Sequence, residues 1–368
     1  MRTKINTLDL RTVLWYLLTP GLIAATGSAA AAPVAAPGYT LSVFAGPLAG
    51  SSAPDSIAVV HGDVFVGYGN GGAPDGSGGA MSTIAEYNSA GTFLGSTTLV
   101  GHNDGLRYNA QTGQLWALQN EDGNPNLVLI NPATLGTSSP LSFSSTPHGG
   151  GFDDIAFGPH GTFISASNPA NNPNTGPAIV AVTLGGGKVN VSGTVLAGNA
   201  TAHVINTGGT TTLNLQDPDS LIFGPQGQLV LDSQSDQQLV FVKHPGGVGQ
   251  SVSVLNLTTS VDDTVFAKGG TQSLLFSDRK SGKIYELTGK FGAGQAISAA
   301  DSANLIAALN LTSGNLTPLV SGLSSPHGEA FLTGVPELGT WAMMILGFGL
   351  VAIRLRRLDD KTAATNAA

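Results

Sequence analysis

One phrase keeps restarting through the middle of this chain: an acidic residue followed at once by a short apolar strand. Five copies align, Asp55-Ser56-Ile57-Ala58-Val59, Asp104-Gly105-Leu106-Arg107-Tyr108, Asp153-Asp154-Ile155-Ala156-Phe157, Asp219-Ser220-Leu221-Ile222-Phe223 and Asp262-Asp263-Thr264-Val265-Phe266. A sixth, His327-Gly328-Glu329-Ala330-Phe331, has histidine in the leading place. A restart roughly every fifty residues is the mark of a repeat architecture, in which each copy is one supersecondary unit that buries its faces against its neighbours.

The pieces between the phrases are antiparallel strands and turns. Gly158-Pro159-His160-Gly161 leads to Phe163-Ile164, Gly224-Pro225-Gln226-Gly227 to Leu229-Val230-Leu231, and Thr112-Gly113 to Leu115-Trp116-Ala117-Leu118. Glycine and proline at such points close hairpins. A third apolar run follows in each unit at 83–87, 127–130, 178–182, 238–242 and 283–287, and a fourth is clear at 93–100. Four short strands per unit with radial repetition predict an all-β chain folded as a β-propeller over residues 38–333. Six blades are favoured over five, and a stacked β-helix, with its shorter period, fits less well. Residues 193–215 and 289–309 read as insertions, and Tyr39 to Phe44 as a strand that closes the ring against the strand after His327.

The phrase resembles the inner strands of six-bladed propellers of the NHL and SMP-30 gluconolactonase type. That resemblance implies the fold. Enzymes of that type hold a divalent cation on Glu, Asn and Asp, and this chain keeps their strand pattern without a residue-by-residue match to those ligands, so the activity is not carried over with the fold.

The termini suggest export. Arg2, Lys4 and Arg11 precede the apolar stretch 13–25, and small residues follow at 29–32, the three-part plan of a secretory signal peptide over residues 1–32. Near the other end, Val335-Pro336-Glu337 is followed by Trp341, by the apolar run containing Gly347 and Gly349, and by Arg354, Arg356 and Arg357. An apolar run closed by basic residues reads as a short membrane anchor with its arginines on the cytoplasmic side. From 338 to 353 it is shorter than the ~20 residues that cross a bilayer comfortably, which suits a transient anchor.

This order of motif, anchor and arginines resembles the PEP-CTERM sorting segment of Gram-negative bacteria, here residues 335–358 with a polar tail at 359–368. Leu338 stands where that family usually carries a second proline. The resemblance implies an exosortase as processing partner, passing contact with the inner membrane in a precursor facing the periplasm, then release to the cell surface or extracellular matrix. Its context also implies exopolysaccharide or other surface proteins of a biofilm as partners.

Composition agrees with an exported β protein. Charged residues are only 10% of the chain, against ~25% in ordinary soluble domains. The net charge of -8 and the lack of a basic patch outside the termini argue against nucleic-acid binding. Cysteine is absent, which removes disulfides, thiolate metal sites and cysteine nucleophiles.

In a propeller the leading residues Asp55, Asp104, Asp153, Asp219, Asp262 and His327 occupy equivalent places around one axis. Converging carboxylates would suit Ca²⁺ or Mg²⁺. The same acids could instead tie down the turn entering each inner strand, and both readings stay open at this level. Pro147-His148-Gly149 and Pro326-His327-Gly328 offer two histidines for metal or acid-base work, or as turn residues. No nucleophile elbow, phosphate-binding glycine loop or HExxH helix is present. The sequence therefore favours an exported surface or matrix protein that binds glycan or protein through a propeller face. The alternative is a divalent-metal-dependent lactonase or other hydrolase working in the channel.

Overall fold

The computed structural model describes residues 32–332. Within that span the chain forms six sheets, the blades of a propeller whose inner strands stand around a central axis. The signal-peptide and sorting segments lie outside the described residues. No helix among the described residues is long and apolar enough to cross a membrane.

Blades one to three are each written by consecutive sequence. Blade one runs Pro54–Val60, Asp63–Tyr68, Met81–Tyr87, Phe93–Val100. Blade two runs Asn103–Asn109, Gln114–Gln119, Asn126–Asn131, with the short pieces Gly136–Thr137 and Leu141–Ser142 on its edge. Blade three runs Ile155–Gly158, Gly161–Ser165, Pro177–Gly185, Lys188–Ala197. Blade four, Pro218–Phe223 to Ser251–Asn256, carries two further strands outside it, Thr201–Val204 and Thr210–Thr212. The stretch 193–215, expected to be an insertion, thus finishes blade three and then adds two strands to blade four. Its Thr201–Val204 joins the outer edge in parallel, covering an edge that would otherwise be open.

Blades five and six are interleaved, which the sequence did not suggest. After the inner strand of blade five, Asp263–Phe266, the chain crosses to blade six and lays down Gly270–Asp278 and Lys283–Phe291. It then returns to blade five for Ala296–Ala300, Leu305–Leu309 and Leu316–Ser321, and crosses once more to supply the inner strand of blade six, Pro326–Phe331. The run at 283–287 therefore belongs to blade six, and 289–309 holds two core strands of blade five. The N-terminal strands finish both sheets: Val34–Ala35 pairs with Leu316–Ser321, and Tyr39–Ala45 with Lys283–Phe291. Tyr39 to Phe44 closes the last blade as expected, but on its third strand, because the strand after His327 already lies at the axis.

The core sits between blades. In a strand successive side chains face opposite ways, so each blade feeds two interfaces. In blade one Val64 and Val66 pack toward blade six beside Leu275 and Ile284, while Phe65 packs toward blade two beside Leu106 and Leu115. In blade four Leu229 and Leu231 join blade three and Val230 joins blade five. Fully burying such a side chain is worth about 1.5–3 kcal/mol relative to exposure, and six such interfaces hold the ring without cross-links.

Candidate functional site at the channel mouth

The leading residues of the phrases do converge. Asp55, Asp104, Asp153, Asp219, Asp262 and His327 all line one polar cavity of about 220 Å³ at the axial end where the inner strands begin. Irregular pairing aims them there: the ladders of blades one, two and four skip a register between Pro54 and Ile57, Asn103 and Leu106, and Pro218 and Leu221. The acid and the residue after it fall in that gap, and a bulge of this kind re-aims side chains out of the regular pleat.

A second tier lies directly beneath, made by the residue that follows each leader: Ser56, Gly105, Asp154, Ser220, Asp263 and Gly328. Here the channel narrows to about 20 Å³. Glycine is required at two of these places by close approach, since a Cβ on Gly105 would sit 2.1 Å from the Asp153 carbonyl oxygen and one on Gly328 2.3 Å from that of Asp55. The tier is tied by hydrogen bonds. Ser56 Oγ donates to the Asp104 carbonyl, Ser220 Oγ to Asp263 Oδ1 at 2.5 Å, Leu221 N–H to Asp154 Oδ2 at 2.9 Å and Glu329 N–H to Asp263 Oδ2 at 2.8 Å. Arg107, also of blade two, reaches across to Asp154 at 2.5 Å and Asp263 at 3.7 Å.

The two tiers separate the alternatives that the sequence left open. Backbone anchoring falls to Asp154 and Asp263 of the lower tier. Among the described residues the leading acids Asp55, Asp104, Asp153 and Asp219 accept no backbone hydrogen bond on their carboxylates, and their side chains face the cavity. Asp262 accepts a hydrogen bond from Gln234 Nε2 at 3.1 Å.

Among the described residues, nine carboxyl side chains line the mouth against one guanidinium and one imidazole. Asp55 lies 3.5 Å from Arg279 Nη1, and Asp262 3.6 Å from His327 Nε2. Burial works against the charged His327 ring, but the carboxylates of Asp262 and Asp55 outweigh it and push its pKa up to about 9. His327 is therefore a cation at neutral pH and serves as counter-charge. Oxygens of the other three leaders, Asp104, Asp153 and Asp219, lie within 4.8 Å of one another. Burial, then the charge of Asp219, pushes Asp153 well up, and burial with the charge of Asp262 does the same to Asp219. Burial raises Asp104 too, but hydrogen bonds from Asp153 and Glu121 outweigh it and hold its carboxyl below the ordinary value. Within the trio, charge is therefore favoured on Asp104 over Asp153 and Asp219. Three hard oxygen donors in a polar cavity fit a cation such as Ca²⁺ or Mg²⁺, which completes its sphere with water.

Several mouth residues stand outside the repeated phrase. Glu121, Ser167, Gln234, Arg279 and Asp301 each follow the second strand of a blade by one or two residues. That shared position, just past the second apolar run, was the signal available in the sequence. His148 of the other Pro-His-Gly triplet is not at the mouth: its ring packs on Phe152, centroids 4.9 Å apart, with Nε2 against the Gly151 carbonyl.

No protein-family profile matches the chain, and no curated protein matches it. Among solved structures it is similar to a periplasmic gluconolactonase of Pseudomonas aeruginosa, at 12% identity and a TM-score of 0.45 over 80% of this chain and 99% of that one. It is also similar to a streptogramin B lyase, at 13% identity and 0.43 over 79% and 90%, and to virginiamycin B lyase of Staphylococcus aureus, at 11% and 0.39 over 74% and 85%. The assignment as a six-bladed propeller rests on the strand ladders themselves.

Proposed function

We propose that the mouth of the channel binds a divalent cation on Asp104, Asp153 and Asp219, and that the protein is a metal-dependent hydrolase of small neutral lactones or esters. The supporting observation is the trio of carboxylates that, among the described residues, neither pair with a cation nor anchor backbone, in a cavity faced by Arg279 and His327. A bound cation would supply Lewis acidity at the substrate carbonyl. Arg279 and the His327 imidazolium then stand as hydrogen-bond donors for charge developing on oxygen.

Size and charge narrow the substrate. About 220 Å³ lies below the usual 300–1,000 Å³ of drug-sized pockets, so the reacting molecule is small. An acidic mouth repels anions and accepts neutral polyhydroxylated carbonyl compounds, and the carboxylate formed by hydrolysis is expelled by the same field. The test is hydrolysis of a panel of sugar lactones and small esters by the protein with EDTA and with Ca²⁺, Mg²⁺ or Mn²⁺ restored. Asp153→Asn and Asp219→Asn should each lower metal-dependent kcat/KM by at least a hundredfold in folded protein. Absence of metal-dependent turnover across the panel would reject the hydrolase.

Delivery outside the cytoplasm belongs to the same proposal and is supported by the sequences at 1–32 and 335–358. Exosortase processing, transient anchoring in the inner membrane and partnership with exopolysaccharide or surface proteins rest on the resemblance of the sorting segment. Cell fractionation with mass spectrometry of the mature protein checks this, and an intact peptide ending at Ala368 in the surface fraction would contradict processing.

A further inference from the structure

One buried side chain behind the mouth, against Asp104 and Glu121, is left without a function by the oxygen trio. His102 is fully buried (0% exposed), and neither ring nitrogen has a hydrogen-bond partner among the described residues. An imidazole always carries at least one N–H donor, so such burial without partners is unfavourable. Room for the ring is built into the neighbouring blade: a Cβ on Gly69 would lie 2.5 Å from His102 Cε1.

The backbone fixes where the ring points. Asn103 pairs with Gln119 at the mouth end of the first hairpin of blade two, so His102 and Asn120 flank that last pair. His102 N–H donates to Asn120 Oδ1 at 2.9 Å, and Asn120 N–H donates to the His102 carbonyl at 2.7 Å. Asn120 takes a positive φ of 68°, a turn that sends the next residue, Glu121, back toward the axis. Asp104 is two residues beyond His102, inside the register gap that aims it at the mouth. A ring nitrogen of His102 and carboxylate oxygens of Asp104 and Glu121 all lie within 4.8 Å of one another, and Glu121 Oε2 has no partner either.

We propose that His102, Asp104 and Glu121 form a second cation position, selective for a nitrogen-accepting divalent metal such as Zn²⁺ or Co²⁺, beside the all-oxygen position and sharing Asp104 with it. One imidazole and two carboxylates are a donor set that suits these ions, with open positions left for water. Calcium and magnesium, which take oxygen, gain little from the imidazole. The two positions therefore sort cations by chemistry, and occupation of one alters the other through the shared carboxylate. This goes beyond the hydrolase reading and does not depend on it, since a cation held by His102 needs no substrate.

The experiment titrates metal-stripped full-length protein with Co²⁺, read by visible d–d absorption, and with Zn²⁺ and Ca²⁺, read by calorimetry. Expected is Zn²⁺ binding to the wild type with at least a tenfold loss in His102→Gln, while Ca²⁺ affinity changes less than twofold. The Co²⁺ spectrum should change in the same variant. Should His102→Gln fail to fold, Glu121→Gln and the shift of the His102 ring resonances on adding Zn²⁺ to wild-type protein read the same contact. No Zn²⁺ or Co²⁺ binding, an unchanged Co²⁺ spectrum in His102→Gln, or ring resonances that ignore Zn²⁺ would overturn the proposal. Loss of hydrolysis with Zn²⁺ binding intact would count against the hydrolase alone.

Discussion

Replacing Arg107 with methionine should loosen the whole ring, because among the described residues its guanidinium is the one cation in the lower tier of the channel. The side chain is 18% exposed, and the carboxylates that it meets, Asp154 at 2.5 Å and Asp263 at 3.7 Å, are 5% and 7% exposed. Removing one partner of a buried ion pair leaves an uncompensated charge and costs about 3–5 kcal/mol. At an unfolding entropy near 2.1 cal/mol/K per residue, roughly 300 ordered residues contribute about 0.6 kcal/mol/K, so Tm should fall by about 5–8 °C. The loss should depend on pH. Burial raises the Asp154 carboxyl, and Arg107 draws it partly back down. Without the guanidinium its folded pKa rises further above the unfolded value, the folded variant holds the proton more tightly, and the variant regains stability as pH falls. Calorimetry of Arg107→Met and wild type at pH 8 and pH 5 checks both parts. A deficit below about 1 kcal/mol, or one of equal size at the two pH values, would refute the view that this pair braces the axis.

Glu329 is buried with neither carboxyl oxygen partnered among the described residues, and burial followed by the charges of Asp263 and Asp232 pushes it well up. Its folded pKa exceeds the unfolded one, so stability is lost as pH rises above the ordinary glutamate range of about 4.3. Glu329→Gln should therefore be the more stable protein at pH 8 and match wild type near pH 4 in urea melts, and a variant less stable at both would reverse the argument. Gly105→Ala should cost about 1–3 kcal/mol by forcing blades two and three apart at the axis, seen as a lower urea midpoint; a neutral result would mean that the tier is looser than its 2.1 Å approach requires.

The phrase that repeats in the sequence is the inner strand of each blade, which is why fold class and the upper tier were legible: the acid marks the entry and the alternating apolar residues mark the two interfaces. The lower tier was hidden because serine, glycine and aspartate alternate in it, and its role depends on what lies across the axis. Glu121 and Arg279 were missed for a different reason. They share a position relative to the second strand, yet differ in residue type from blade to blade. His102 precedes Asp104 by only two residues, but nothing local shows that its ring is buried without partners. The exchange between blades five and six was beyond local reading as well. Gly269-Gly270 after Asp263–Phe266 looks like a hairpin turn, and only the competing pairing with Ala296–Ala300 decides that it is a crossing.

That crossing fixes the size of the ring. Where a blade is one uninterrupted stretch of gene, as in blades one to three, a duplication or deletion can add or remove a complete sheet. Residues 263–331 instead write two sheets in alternation, and two strands at 34–45 finish them. A cut of one repeat length anywhere in this seam leaves two half-sheets with open edges, so new blade numbers could enter a lineage of such proteins only through the stretch ahead of residue 263, where blades one to four are consecutive sequence.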